Sequence, residues 1–178
     1  MSDSEASRVA FERLFSAHHG DVRRYVVRRA PAAAVEDVVA ETFLVAWRRL
    51  DVVGDDPLPW LLGVARRVLA NQLRSERRRG ALTGRLREAV SDRAPAWEPP
   101  ARMSGELGTA IAALSQRERE ALLLVAWEGL DPARAARAAG CTPAAFRVRL
   151  HRARRHVSVA LGRQPDGHGC TKIVEEAP

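Results

Sequence analysis

Apolar residues in this chain recur almost everywhere at the three-and-four spacing of an α-helix. Val35, Val38, Val39, Thr42, Phe43, Ala46 and Leu50 make one long stripe, and Trp60, Leu61, Val64, Ala65, Val68, Leu69 and Leu73 make another. That period sets one face of each segment against a core, and a helix-period pattern does not sit still as a strand. No stretch has a strand-forming pattern, and no internal repeat is visible. The expectation is an all-α chain.

Punctuation divides the helices. Phe11, Leu14, Phe15 and His18 share one face of a first helix. Gly20-Asp21 predicts a break, with Asp21 capping a second helix that holds Val22, Tyr25 and Val26 and stops at Pro31. The stripe from Val35 to Leu50 follows. Asp51 to Asp56, with Gly54 and adjacent acids, reads as a loop. Asp56-Pro57 reads as a cap and first helical position. The next helix ends in Arg77-Arg78-Arg79-Gly80. Residues 80–104, rich in Gly and Pro, read as a linker with a helical turn near Arg85 to Val90. A second block holds Leu107, Ile111 and Leu114 on one face, then a capping box at Ser115-Gln116-Arg117-Glu118. Asp131-Pro132 opens a short helix that ends at Gly140, and Thr142-Pro143 opens one that runs to about Leu161. The 178 residues therefore read as two small helical domains, 1–79 and 105–161, with the linker between them and a disordered tail at 162–178.

Charge is divided as sharply. From Ala30 to Trp60 stand six acids (Glu36, Asp37, Glu41, Asp51, Asp55 and Asp56) against two Arg; from Pro132 to Pro165 there is no acid and there are eight Arg. The chain carries 29 Lys and Arg against 22 Asp and Glu, a formal charge of +7. Every one of those cations except Lys172 is Arg. An acidic face and a basic face predict two different partners, one of them a polyanion. The 46% hydrophobic content excludes a disordered acidic chain, and two Cys in this length exclude a disulfide scaffold. The longest apolar run, Ala121 to Trp127, is far too short for a membrane span. MSDSEASRVAFERLF lacks the basic-then-apolar pattern of a secretory signal. The expectation is a cytoplasmic protein with no membrane insertion.

The strongest motif runs from Asp131 to His156. A short Ala-rich helix, a turn at Gly140-Cys141-Thr142 and a basic helix make a helix-turn-helix pattern. Ala135, Ala136 and Ala139 let two helices cross closely, and Gly140 supplies the left-handed residue that the turn needs. Phe146, Leu150, Ala153 and Val157 form the inward stripe of the second helix. Arg147, Arg149, His151, Arg152, Arg154 and Arg155 are left to face outward or flank the core. An Arg fork can hold a phosphate or the guanine edge in the major groove. A merely solvated helix face normally mixes signs, and this one does not. Arg66, Arg67, Arg74, Arg77, Arg78 and Arg79 form a second basic stripe that gains meaning from its company.

At these residues a family resemblance enters. VEDVVAETFLVAW, followed by PLPWLLGVARRVLANQLRSERRR, resembles the sigma-2 domain of extracytoplasmic-function sigma factors. ALSQREREALLLVAWEGLDPARAARAAGCTPAAFRVRLHRARR resembles their sigma-4 domain, in the family's order and spacing, over residues 11–161. The resemblance implies a bacterial transcription-initiation subunit: no enzyme, no cofactor and no metal, cytoplasmic, and nucleoid-associated when in holoenzyme. It implies core RNA polymerase as partner, through the clamp coiled coil of the largest subunit and the flap, with promoter DNA as the second partner and an anti-sigma factor as a third. By analogy Glu36, Asp37, Val38, Glu41, Thr42 and Val45 dock on the clamp. Asp51 and Asp55 accept hydrogen bonds from a flipped −10 base. Arg66, Arg67, Asn71, Arg74 and Arg77 hold −10 phosphates and bases, and Trp60 is assigned to the core. Arg147, Val148, Arg149, His151, Arg152 and Arg155 face the −35 element, with Thr142 and Arg154 positioning the backbone. The linker acids Glu88, Asp92 and Glu98 fall near the RNA path. The chain departs from the usual pattern at Ala144-Ala145, where Gly-Thr is common, at Val148, where Ser is, and at Ala40, where Gln is.

Two readings compete. A helix-turn-helix repressor or activator, with residues 1–79 for dimerisation or sensing, would bind its operator without polymerase. A small enzyme or metal sensor would use Cys141 and Cys170; His168-Gly169-Cys170 could bind a metal or act as a redox thiol, but two candidate ligands in a Gly-rich tail do not make a site. No Walker loop or nucleophile motif is present.

Overall fold

The structure, a computed structural model, describes residues 3–82, 103 and 105–163. The chain divides into two compact units. The first holds α1 (Asp3–Val27), α2 (Val35–Arg48) and α3 (Pro57–Leu82), with single 3₁₀ turns at Ala32–Ala34 and Leu50–Val52. The second holds α4 (Glu106–Ala112), α5 (Gln116–Ala126), α6 (Pro132–Ala139) and α7 (Pro143–Ala160). The described residues contain no strand.

In the first unit the three helices pack on one another. Val22, Tyr25 and Val26 of α1, Val38, Val39, Phe43 and Ala46 of α2 and Leu61, Leu62, Ala65 and Val68 of α3 are all buried. Each large side chain so buried contributes about 1.5–3 kcal/mol. An aromatic cluster lies between α1 and α2 at the edge of this core, with Phe43 buried and Phe15 and Trp47 exposed. Phe11 meets Trp47 edge-on at 5.1 Å, and Phe15 meets Phe43 at 4.8 Å. At the end of α1, the Arg29 guanidinium lies 3.7 Å from the Tyr25 ring centre and donates to the Tyr25 carbonyl at 3.0 Å.

The expected break at Gly20-Asp21 is absent: α1 runs unbroken through both residues. A Gly inside a helix costs about 1 kcal/mol relative to Ala. Val22, Tyr25 and Val26, buried within the next two turns, outweigh that cost. Asp21, freed from a capping role, accepts a hydrogen bond from Arg24 one turn on. The helix expected to end at Gly80 also continues, through Leu82. The turn expected near Arg85 to Val90 and the tail beyond Arg163 lie outside the described residues.

The second unit is assembled by its caps. Ser115 and Glu118 form the expected capping box: Ser115 N and Oγ donate to Glu118 Oε2 at 3.2 and 2.7 Å, and Glu118 N donates to Ser115 Oγ at 3.4 Å. Arg119 serves a different end. Its guanidinium donates to the carbonyls of Ile111, Ala112 and Leu114 at 3.2, 3.1 and 2.8 Å. It thereby adds a charged donor at the C-terminal end of α4, where the Ile111 carbonyl also accepts from Leu114 N at 3.2 Å. Helix α7 packs on α5, α6 and α4, so it is the centre of the unit as described.

Candidate nucleic-acid interface

Local chemistry builds the helix-turn-helix. Asp131 accepts from Ala133 N at 2.9 Å and Arg134 N at 3.0 Å, with Pro132 in the first turn of α6. At the other end Gly140 adopts φ 63°, ψ 43°. Gly140 N donates to Arg137 O and Cys141 N to Ala136 O, both at 3.1 Å. This crossed pair is a Schellman ending, which needs a left-handed residue at the position that Gly140 occupies. Two residues later Thr142 Oγ1 accepts from Ala145 N at 3.2 Å and opens α7. Ala135, Ala136 and Ala138 are buried on α6, which packs on both α7 and α5. The small residue packed inward is Ala138 rather than the expected Ala139, which is half-buried.

Helix α7 is two-faced. Phe146, with no exposed surface, and the buried Leu150, Ala153 and Val157 face inward. Arg147, Val148, His151, Arg152 and Arg155 are exposed, one and two turns apart on the outward face. Arg149 and Arg154 are half-buried and flank the inward stripe. Thr142 is exposed; its oxygen serves the cap while its hydroxyl proton can still be donated. His156, at the edge of the face, lies 3.4 Å from Glu118 Oε1 and ties α7 to the start of α5. Burial pushes the Glu118 carboxyl up, but the Ser115 bonds and the His156 contact together pull it further down, so it sits below the ordinary glutamate range.

In the first unit, Arg67, Asn71, Arg74 and Arg78 are exposed on α3 at positions four, three and four apart, a single stripe away from the core. Arg74 donates to Asn71 Oδ1 within it. Arg66 stands a quarter turn aside and is half-buried. The side chain of Arg77 is outside the described residues. Just before α3, Asp51 and Asp55 are exposed around the left-handed Gly54, while Val53 is buried and anchors the loop. Trp60 is half-buried rather than enclosed in the core.

The acidic helix α2 requires a correction. Val38 and Thr42, expected as docking contacts, are both 0% exposed, and Thr42 Oγ1 donates to the Val38 carbonyl at 2.7 Å. They stand on the inward stripe and cannot reach a partner; their place is the core. Val45 is half-buried. Glu36 is exposed but accepts from Arg23 of α1 at 3.1 and 3.0 Å. Asp37 and Glu41 are exposed on the outward face. Between them and Arg48 on that face lies Leu44, 40% exposed, which the family motif does not include. Its signal is an apolar residue out of phase with the inward stripe.

Among the described residues no group of three or more His, Cys, Asp or Glu is placed to hold a metal, and no helix is long and apolar enough to cross a membrane. Cys141 is a half-buried free thiol in the turn, and His168 and Cys170 lie outside the described residues.

Comparison with known proteins agrees with this geometry. The family model for sigma-70 region 2 matches residues 14–79, and that for sigma-70 region 4 matches residues 104–157. The chain is 30% identical over 167 residues to the ECF RNA polymerase sigma factor SigL of Mycobacterium tuberculosis, spanning 90% of this chain and 94% of that protein. It is 33% identical over 160 residues to SigC of the same species, spanning 86% and 84%. Among solved structures it resembles the sigma factor RpoE of Bartonella quintana, determined with the anti-sigma factor NepR, with a TM-score of 0.64 at 23% identity over 85% of this chain and 96% of that one. It also resembles CnrH, determined with the cytosolic domain of CnrY, with a TM-score of 0.59 at 23% identity over 89% and 94%. At that identity the two structures speak for the fold.

Proposed function

The chain belongs to the extracytoplasmic-function group of sigma-70-type RNA polymerase sigma factors, promoter-recognising subunits with no catalysis of their own, and from that premise we propose how its surfaces divide the work. The two helical units act as separate grips on one promoter, aligned by core polymerase. The exposed face of α7 reads the −35 element: Arg152 and His151 reach base edges from the middle of the helix, and Arg147 and Arg155 meet phosphate. Arg149 and Arg154, at the flanks, hold the helix against the backbone. Arg67, Asn71, Arg74 and Arg78 of α3 bind the −10 strand, and the Asp51–Asp55 loop receives a base that melting has exposed. Helix α2 docks on the polymerase clamp through Asp37, Glu41 and Leu44, with Val38 and Thr42 supporting the helix from beneath. An anti-sigma protein that covers these faces is part of the proposal; it is supported by the solved structure of RpoE, determined with the anti-sigma factor NepR.

The observation that carries this reading is the outward face of α7: exposed Arg and His opposite a stripe of buried apolar residues, in a segment with no acid from Pro132 to Pro165. Run-off transcription with reconstituted holoenzyme on a genomic library tests it. The expected result is transcripts that start downstream of two shared elements, and little duplex binding by the chain alone. Failure to associate with core and to initiate any RNA overturns it. Tight operator binding without polymerase would instead favour the repressor reading.

A further inference from the structure

The outward face of α7 holds two large apolar residues that its charge does not explain: Val159, 61% exposed in the last turn of the helix, and Val148 near its start. Val148 is 51% exposed, set among Arg147, His151 and Arg152. One turn earlier on the same side stands Ala144, also exposed. Together they form an apolar step in the N-terminal half of an otherwise basic helix, the half that enters deepest when a recognition helix lies in the major groove. Neither side chain can donate to or accept from a base edge. An apolar group seated there desolvates the polar edges of cytosine, guanine or adenine without replacing their hydrogen bonds, which is unfavourable. One base alone offers apolar surface to the major groove: thymine, through its C5 methyl.

We propose that Val148 is a specificity determinant that selects a thymine in the −35 element by packing on its C5 methyl, with Ala144 too short to compete for the space. This deepens the promoter reading above and rests on it. Val148 and Arg152 are four residues apart on one face, about 6 Å along the helix, and base pairs rise about 3.4 Å. The selected thymine therefore lies within about two base pairs of the base that Arg152 contacts.

The test uses holoenzyme and a promoter recovered from the run-off experiment. Each −35 thymine is replaced in turn by deoxyuridine, which deletes the methyl and leaves the hydrogen-bonding edge intact. Loss of one buried methyl-sized contact predicts about a fourfold fall in promoter occupancy at one position. Val148→Ala holoenzyme should show the same fall on unmodified promoter and no further fall with deoxyuridine at that position. Alanine is the better helix former and the site is exposed, so the variant retains its fold. Arg152→Ala serves as the ruler, since its own loss of base preference should map within two base pairs. The proposal is overturned if no deoxyuridine position weakens binding, or if the sensitivity persists unchanged in Val148→Ala. In either case wild-type promoter selectivity remains, and the promoter reading stands. If wild-type holoenzyme prefers no −35 sequence at all, the promoter reading falls and this proposal falls with it.

Discussion

Replacing Gly140 tests whether backbone conformation, rather than space, holds the helix-turn-helix together. At φ 63°, ψ 43° the residue is left-handed, and its N–H and that of Cys141 close the end of α6. A Cβ in this conformation costs about 1–2 kcal/mol through its contact with the following carbonyl. Alanine also stiffens the unfolded chain, which returns about 0.4–1 kcal/mol. The net loss for Gly140→Ala is therefore about 1 kcal/mol, since no hydrogen bond is removed. Amide hydrogen exchange on the full chain reads the second unit separately. The amides of Leu150 and Ala153, on the buried face of α7, should exchange about fivefold faster if they open with that unit. Gly140→Asn is the control. Asn tolerates the left-handed region better than Ala although its side chain is larger, so it should fall between Ala and wild type. Exchange at the wild-type rate in the Ala variant would refute the reasoning. An Asn variant worse than Ala would show that volume at the turn, not φ, sets the limit.

Three further outcomes are expected. Leu44→Asp, at an exposed position of α2, should change stability by no more than about 0.5 kcal/mol yet reduce co-purification with core polymerase; undiminished co-purification would remove Leu44 from the docking face. Arg119→Ala should destabilise the second unit by about 1–3 kcal/mol, because the part-buried carbonyls closing α4 lose a charged donor; Arg119→Lys should recover only part of this, having no planar fork, and equal stability of all three proteins in denaturant titration would sink the assignment. The Glu118 carboxyl lies below its ordinary value of 4.5 in the folded chain, so the folded state holds that proton less readily than the unfolded one. Its contribution is fully present above 4.5 and is lost as pH falls through the lower, folded value. Glu118→Gln should therefore lower stability at neutral pH and flatten the acid limb of the stability profile, and an unchanged acid limb would count against the capping-box account.

What was legible in the sequence was what is local. The box at Ser115 and Glu118, the caps at Asp131 and Thr142, and the turn at Gly140 each need only residues within four or five positions, and each formed where its motif stands. The misses are non-local. Gly20 is a break by propensity, and only the packing of α1 on α2 and α3 overrides it. Arg119 reaches carbonyls five to eight residues back across a helix end, a geometry with no sequence signature. Helix α2 differs for another reason: the family resemblance implies Val38 and Thr42 as docking contacts, while the apolar period sets both on the inward stripe. A helix side chain at 0% exposure cannot serve both, and the 3.6-residue period already decided between them. A family motif names a helix as the contact element, but the phase of its apolar stripe selects the residues that can touch. Applied to α2, that rule exchanges Val38 and Thr42 for Leu44; applied to α7, it leaves Val148 and Val159 on the side where the core is not, and of these only Val148 stands in the N-terminal half that meets base edges.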